Sequence, residues 1–157
     1  MNPFEQLVTE VCVLAGFSEP QRLLSGEAID YEGVSFALAN HPAGDPDALL
    51  VYADFGCLDL EKKAMLYPLM LKENFMMLGS RNGTFAVSEI HDSVVLIEHL
   101  SLIKTTPQSL LTKMRAIAHK ANYFNKQHRG LQHAAFRPVT PQAASLRSQL
   151  NFQRAAS

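Results

Sequence analysis

Residues 58–78 read Leu-Asp-Leu-Glu-Lys-Lys-Ala-Met-Leu-Tyr-Pro-Leu-Met-Leu-Lys-Glu-Asn-Phe-Met-Met-Leu, and no other stretch limits the fold of this chain so tightly. Asp59 can cap a helix, and Glu61 puts negative charge in its first turn. From Ala64 on, apolar side chains fall on nearly every face. A helix apolar almost all round must be covered on more than one side. One cover is expected to be the chain's own sheet. The other is expected to be a second subunit, with a central core helix of a monomer as the alternative. Pro68 lacks the backbone donor and its ring crowds the carbonyl of Ala64, which predicts a kink or a helix that starts near Tyr67. Asn82-Gly83 signals a turn, and Thr84-Phe85-Ala86-Val87 alternates as a strand does.

The remaining elements follow from periodicity. Asn2-Pro3 is a cap with proline at the first helical position, and Phe4, Leu7, Val8, Val11, Leu14 and Ala15 recur at helical spacing up to Gly16. Gln21 to Leu24 fits a helical turn or a short strand. Residues 28–32 and 34–39 alternate around Gly33 and predict a hairpin. Residues 48–55, closed by Gly56, are apolar enough to predict a strand covered on both faces. Residues 93–102 are a long β-branched strand. Thr106-Pro107 then opens a helix with Leu110, Leu111, Met114, Ile117, Ala118, Ala121 and Phe124 on one stripe. The order is helix, three strands, helix, two strands, helix: an α+β fold with a mostly antiparallel sheet of about five strands flanked by three helices.

Charge separates a body from a tail. Residues 1–127 hold all fifteen acids and ten of the fourteen Lys/Arg, a net −5, whereas 128–157 hold four arginines and no acid. The division predicts one domain over 1–127 and a basic, flexible tail over 128–157. An acidic body argues against nucleic acid as the main partner. Cys12 and Cys57 are too few and too isolated for a disulfide framework or a zinc site. No signal peptide and no membrane span are recognisable, so a cytoplasmic setting is expected.

No catalytic constellation emerges. The six histidines lack ligand spacing, and neither a nucleophile elbow nor a phosphate-cradling glycine loop is present. Asp45 and Asp47 flank Pro46 in turn chemistry. The positive signals are surfaces. Met65, Met70, Met76 and Met77 cluster on the central helix, and methionine suits cores and adaptable interfaces. A sheet with open edges can accept an extended peptide.

The run Leu66-Tyr67-x-Leu69-x-Leu71-x-x-Asn74, then Gly79, Gly83, Phe85 and Val87, resembles the class I type III secretion chaperones, the CesT-like (Tir chaperone) family. Asp47-x-Leu49-x-Val51 before Gly56, and Leu100-x-Leu102 before the last helix, are similar to it as well, and the order of elements matches across roughly residues 3–127. The resemblance implies a homodimer in the bacterial cytoplasm that binds the N-terminal region of a secreted effector in extended form, with no enzymatic activity, ATP, metal or other cofactor. It implies a dimer interface around Leu66, Leu69, Met70, Phe75, Met76 and Phe85. It implies effector contacts on the first helix and on sheet surfaces, here Phe4, Leu7, Val11, Phe36, Leu38, Leu50 and Tyr52. The chain departs from the pattern in its basic tail, in Pro68 and in its length beyond the last helix. A regulatory adaptor of the same fold, binding a cytosolic protein, shares all these features. A small enzyme would need a pocket with convergent titratable groups.

Overall fold

The computed structural model of the chain describes residues 1–40, 44–77 and 83–128. Helix α1 spans Pro3–Ala15 and begins at a capping box, in which the Asn2 side chain accepts from the Glu5 N–H at 2.8 Å and the Glu5 carboxylate accepts from the Asn2 N–H. It ends at Gly16, whose φ of 73° is the left-handed stop. A five-residue helix, α2 (Pro20–Leu24), follows and brings the helices to four where the sequence predicts three. It settles the ambiguous stretch at Gln21 through Leu23, a fully buried side chain that needs a turn to reach the core.

Strands β1 (Ile29–Tyr31) and β2 (Val34–Asn40) form the expected hairpin, with both turn residues at positive φ, Glu32 at 49° and Gly33 at 79°. Glutamate is an unfavourable choice there, and helix α4 (Pro107–Gln127) holds it. Arg115 donates to the Glu32 carboxylate at 2.9 Å and to the Tyr31 hydroxyl at 3.0 Å, and Asn122 donates to the Glu32 carbonyl at 3.0 Å. These partners raise the Arg115 guanidinium pKa, the Glu32 hydrogen bond first.

Strand β3 (Ala48–Cys57) continues past Gly56 by a bulge between Asp54 and Gly56, at which the Asp54 carboxylate accepts from the Gly56 N–H. Helix α3 (Leu60–Met77) then starts at Asp59, whose carboxylate accepts from the Lys62 N–H at 2.9 Å, and it is assigned as one helix through Pro68. β4 (Thr84–Val87) and β5 (Ser93–Ser101) complete the sheet. Its order is β1-β2-β3-β5-β4, antiparallel throughout. The predicted turn over 79–82, the first three residues of the 41–47 turn and the tail over 129–157 lie outside the described residues.

Side-chain alternation sorts the strands. Val34, Phe36, Leu38, Leu49, Val51, Ala53, Phe55, Val94 and Leu96 face α1, α2 and α4 and form one core with Val8, Val11, Leu23, Leu110, Met114 and Ala118. Phe55 sits edge-on to Phe85 with centroids 5.4 Å apart and tilts against Phe124 at 5.6 Å, tying β3, β4 and α4 together. Within this apolar layer lies Glu98, almost fully buried, whose carboxylate pairs with the Lys113 ammonium at 3.0 Å. Gly83, at φ 89°, makes room beside it: a Cβ there would come within 3.0 Å of the Glu98 Cγ and 3.2 Å of the Ile97 carbonyl.

Asp47 closes the far end of the sheet. Its carboxylate accepts from the Ile103 N–H at 2.8 Å and from the Ser101 hydroxyl at 2.8 and 3.0 Å, and those bonds lower its pKa, the Ile103 bond first. Its stabilising contribution is therefore complete above the unfolded-state value and is lost as pH falls through the lower folded-state value. Asp47→Asn is expected to flatten the acid limb of urea midpoint plotted against pH; an unchanged limb would show that other carboxylates carry it. Phe55→Ala is expected to cost about 3–5 kcal/mol in urea denaturation, since it empties the centre of the aromatic cluster.

Candidate functional site

Helix α3 is fixed to the sheet through an asparagine. The Asn74 carboxamide donates from Nδ2 to the Phe85 carbonyl at 2.9 Å and accepts on Oδ1 from the Phe85 N–H at 2.7 Å. A side chain thus fills both outward hydrogen-bonding positions of one residue on edge strand β4, as a neighbouring strand would. Near the N-terminal end of the same helix, Lys63 pairs with Asp92, next to Ser93 at the start of β5. Between these ties Leu66 and Met70 turn inward, with Tyr67 half-buried beside them, and Met77 follows one turn beyond Asn74. Burial raises the Tyr67 phenol pKa.

Fixing that side determines what faces out. Met65, Leu69, Leu71, Phe75 and Met76 are exposed, the last two at 74 and 76 %. Ala64 and Pro68 are exposed beside them. Large apolar side chains at such density on one helix mark an interaction surface. Of the six residues the resemblance implies for a dimer interface, Leu69, Phe75 and Met76 lie on this exposed side. Leu66, Met70 and Phe85 lie beneath it, closed within the subunit.

The second candidate surface is the sheet face opposite α1, α2 and α4. Ala37 and Ala39 on β2, Leu50 and Tyr52 on β3, and Val95 and Ile97 on β5 point to it, since they alternate with the core residues. Asp30, Asp54, Thr84 and His99 surround them. Both faces of β3 are apolar, as its sequence predicts, but the helices that pack on the sheet, α1, α2 and α4, build their core on the first face and α3 runs along the β4 edge. Ala37, Ala39, Leu50 and Val95 on this face are themselves buried, at 4–6 % exposed, Tyr52 and Ile97 are half-buried, and burial raises the Tyr52 phenol pKa.

The other five implied effector contacts belong elsewhere. Phe4, Leu7 and Val11 are the inner stripe of α1, and Phe36 and Leu38 face them from β2; all five are at most 5 % exposed. Their apolar spacing marks the hydrophobic core, and spacing alone does not tell a core stripe from a binding stripe. A charge at Leu7 or Phe36 would break the subunit's own packing.

Little here favours chemistry. Among the described residues no group of three or more His, Cys, Asp or Glu side chains could hold a metal ion. An open depression lined by Glu32, Thr112, Arg115, His119 and Asn122 contains the ion pair that clamps the hairpin, so its charged groups are already committed. Among the described residues no helix is long and apolar enough to cross a membrane.

Known structures share this arrangement. The fold is similar to that of the Yersinia pestis type III secretion chaperone SycH, solved in complex with a stable fragment of YscM2, at 20 % identity and a TM-score of 0.59 over 77 % of this chain and 98 % of that one. The fold is that of the type III secretion chaperones. Two further chaperone-fold matches come from the ExsC-ExsE complex (16 % identity, TM-score 0.64, 84 % of this chain and 96 % of that one) and the HopA1-SchA chaperone-effector complex (12 %, 0.54, 80 % and 98 %). No protein-family model and no curated protein sequence matches the chain. The chaperone fold was legible in the sequence through Asn74 and Phe85, although their direct pairing was not.

Asn74→Ala removes both Phe85 bonds and is expected to cost about 1–3 kcal/mol in urea denaturation. It is also expected to raise amide hydrogen exchange selectively in β4. Unchanged β4 exchange would show that packing by Leu66, Met70 and Met77 holds α3 without the carboxamide.

Proposed function

We propose that this protein is a cytoplasmic secretion chaperone. It pairs with a second copy through the exposed side of α3 and holds the N-terminal region of a secreted effector, in extended form, on the second face of the sheet. The observation that carries this reading is the exposed apolar side of α3 on a type III secretion chaperone fold, beside a sheet whose second face is apolar at its centre. The α3 surface presents flexible methionines around Leu69 and Phe75, which suits a self-complementary contact. The sheet surface offers apolar grooves between strands for alternate side chains of an extended segment. Backbone pairing has a natural place at β1, the end strand of the sheet, because Asn74 already occupies the outward positions of Phe85 on β4. Partner binding on this reading needs no catalysis and no cofactor.

Leu69→Asp and Phe75→Asp are expected to convert a dimer into a 17.4 kDa monomer by light scattering, with the helical and sheet content intact. A dimer persisting in both variants would remove α3 from the interface. Native purification followed by mass spectrometry and limited proteolysis tests the partner. The expected result is one co-purifying protein, protected only through a segment near its N-terminus and released by Tyr52→Asp. A folded partner protected throughout would move the assignment to a regulatory adaptor.

A further inference from the structure

We propose that the exposed side of α3 receives a second copy of this chain in one register only: antiparallel, with Glu61 of each copy against the partner's Lys72. This register rests on the pairing through α3 put forward above. Glu61 and Lys72 are both exposed, and among the described residues neither has an ion pair within the subunit. They lie eleven residues apart. That is about three turns of helix, so both project from the same side as Met65, Pro68 and Phe75. The other lysines of the first turns are committed, Lys62 to Asp59 and Lys63 to Asp92, and Glu73, one turn after Leu69, lies at the margin of the apolar side.

Charge sets the direction. Two copies of α3 laid parallel would put Glu61 against Glu61 and Lys72 against Lys72, and like charges juxtaposed across an interface repel. Laid antiparallel, with a two-fold axis midway between positions 61 and 72, each carboxylate meets an ammonium, and symmetry makes the contact twice. Shape agrees with charge. The same axis brings Ala64 opposite the partner's Leu69 and Pro68 opposite the partner's Met65, a small side chain facing a large one each time. Such alternation lets two helices approach closely without a void.

The offset finds cover for apolar side chains beyond the crossing point. Helix α3 runs Leu60–Met77, so an axis between Leu66 and Tyr67 lies nearer its N-terminal end. Phe75 and Met76 then reach past the start of the partner's helix, toward the turn between β4 and β5. Lys63 and Asp92 hold that turn beside the N-terminal end of α3. Ile90 stands exposed on the turn, and Leu60 stands exposed at the helix start. One two-fold operation thus brings together two exposed apolar groups from opposite ends of the subunit. A partner lacking both charges at this spacing leaves Glu61 or Lys72 unpaired against apolar surface, so the pair selects a second copy of the same chain.

Glu61→Lys and Lys72→Glu are each expected to raise the dimer dissociation constant about tenfold or more in sedimentation equilibrium, because symmetry repeats the like-charge contact. The double variant is expected to recover most of that loss. The two single variants, mixed, are expected to form a heterodimer in preference to either homodimer. One chain then carries only ammonium groups at the two positions and the other only carboxylates. An affinity tag on one chain lets native mass spectrometry count the species, and raised salt is expected to erase the preference. Ile90→Asp, off the helix, is expected to weaken the dimer severalfold with the circular dichroism unchanged. Single variants that dimerise as tightly as the unaltered chain, or a mixture that sorts at random, would overturn the register and leave pairing through α3 standing. Preferential pairing of Glu61→Lys with the unaltered chain would also overturn it, because position 61 would then face itself. A dimer that survives Leu69→Asp and Phe75→Asp removes the pairing through α3 and the register with it.

Discussion

The carboxamide of Asn74 against the backbone of Phe85 is the contact on which the arrangement of surfaces depends. Helix α3 is apolar on nearly every side, so hydrophobicity alone leaves its rotation poorly defined. Two hydrogen bonds of 2.7 and 2.9 Å have direction, and they choose the side that faces in. With Leu66, Met70 and Met77 inward, Leu69, Phe75 and Met76 must face out. The same two bonds occupy part of an edge strand that would otherwise invite indiscriminate pairing. One side chain thus both orients the proposed subunit contact and steers strand addition toward the other edge of the sheet.

The sheet divides its labour by alternation. Its first face is ordinary core, closed by α1, α2 and α4 around Phe55, Val51 and Met114. Its second face carries the side chains left over, and these are apolar at its centre. Glu98 is the exception on the first face: a carboxylate among apolar neighbours, held by Lys113 and accommodated by Gly83. Such a pair contributes little net stability but is costly to break, because a lone buried charge would remain.

Much of this was legible in the sequence. Caps and prolines at Asn2-Pro3 and Thr106-Pro107 located two helices, and period-two alternation located the strands. α2 was ambiguous because five residues are too few to show a helical period. Pro68 signalled a kink or a helix that starts near Tyr67, and α3 starts instead at Leu60; a helix interrupted in one hydrogen bond survives when Leu66 and Met70 on its inner side are firmly packed. The surfaces were legible only in part. Periodicity tells which residues share a face, so it grouped Phe4, Leu7 and Val11 correctly as a stripe. It does not tell whether that face meets the protein's own interior, and Phe36 and Leu38 close over them. What distinguished β3 was that apolar residues occupy both of its alternating sets, Leu49 and Val51 on one face and Leu50 and Tyr52 on the other.

The strand order carries a consequence for how the chain is made. β3 pairs with β5, and α3 and β4 lie between them in sequence. β4 therefore has no neighbouring strand to join until β5 has been synthesised and has closed the long loop back to β3. During that interval a growing chain displays a helix with apolar residues on opposite sides, both of them bare. A nascent subunit is then a sticky object at the ribosome, and the meeting of two such chains competes with the completion of each one.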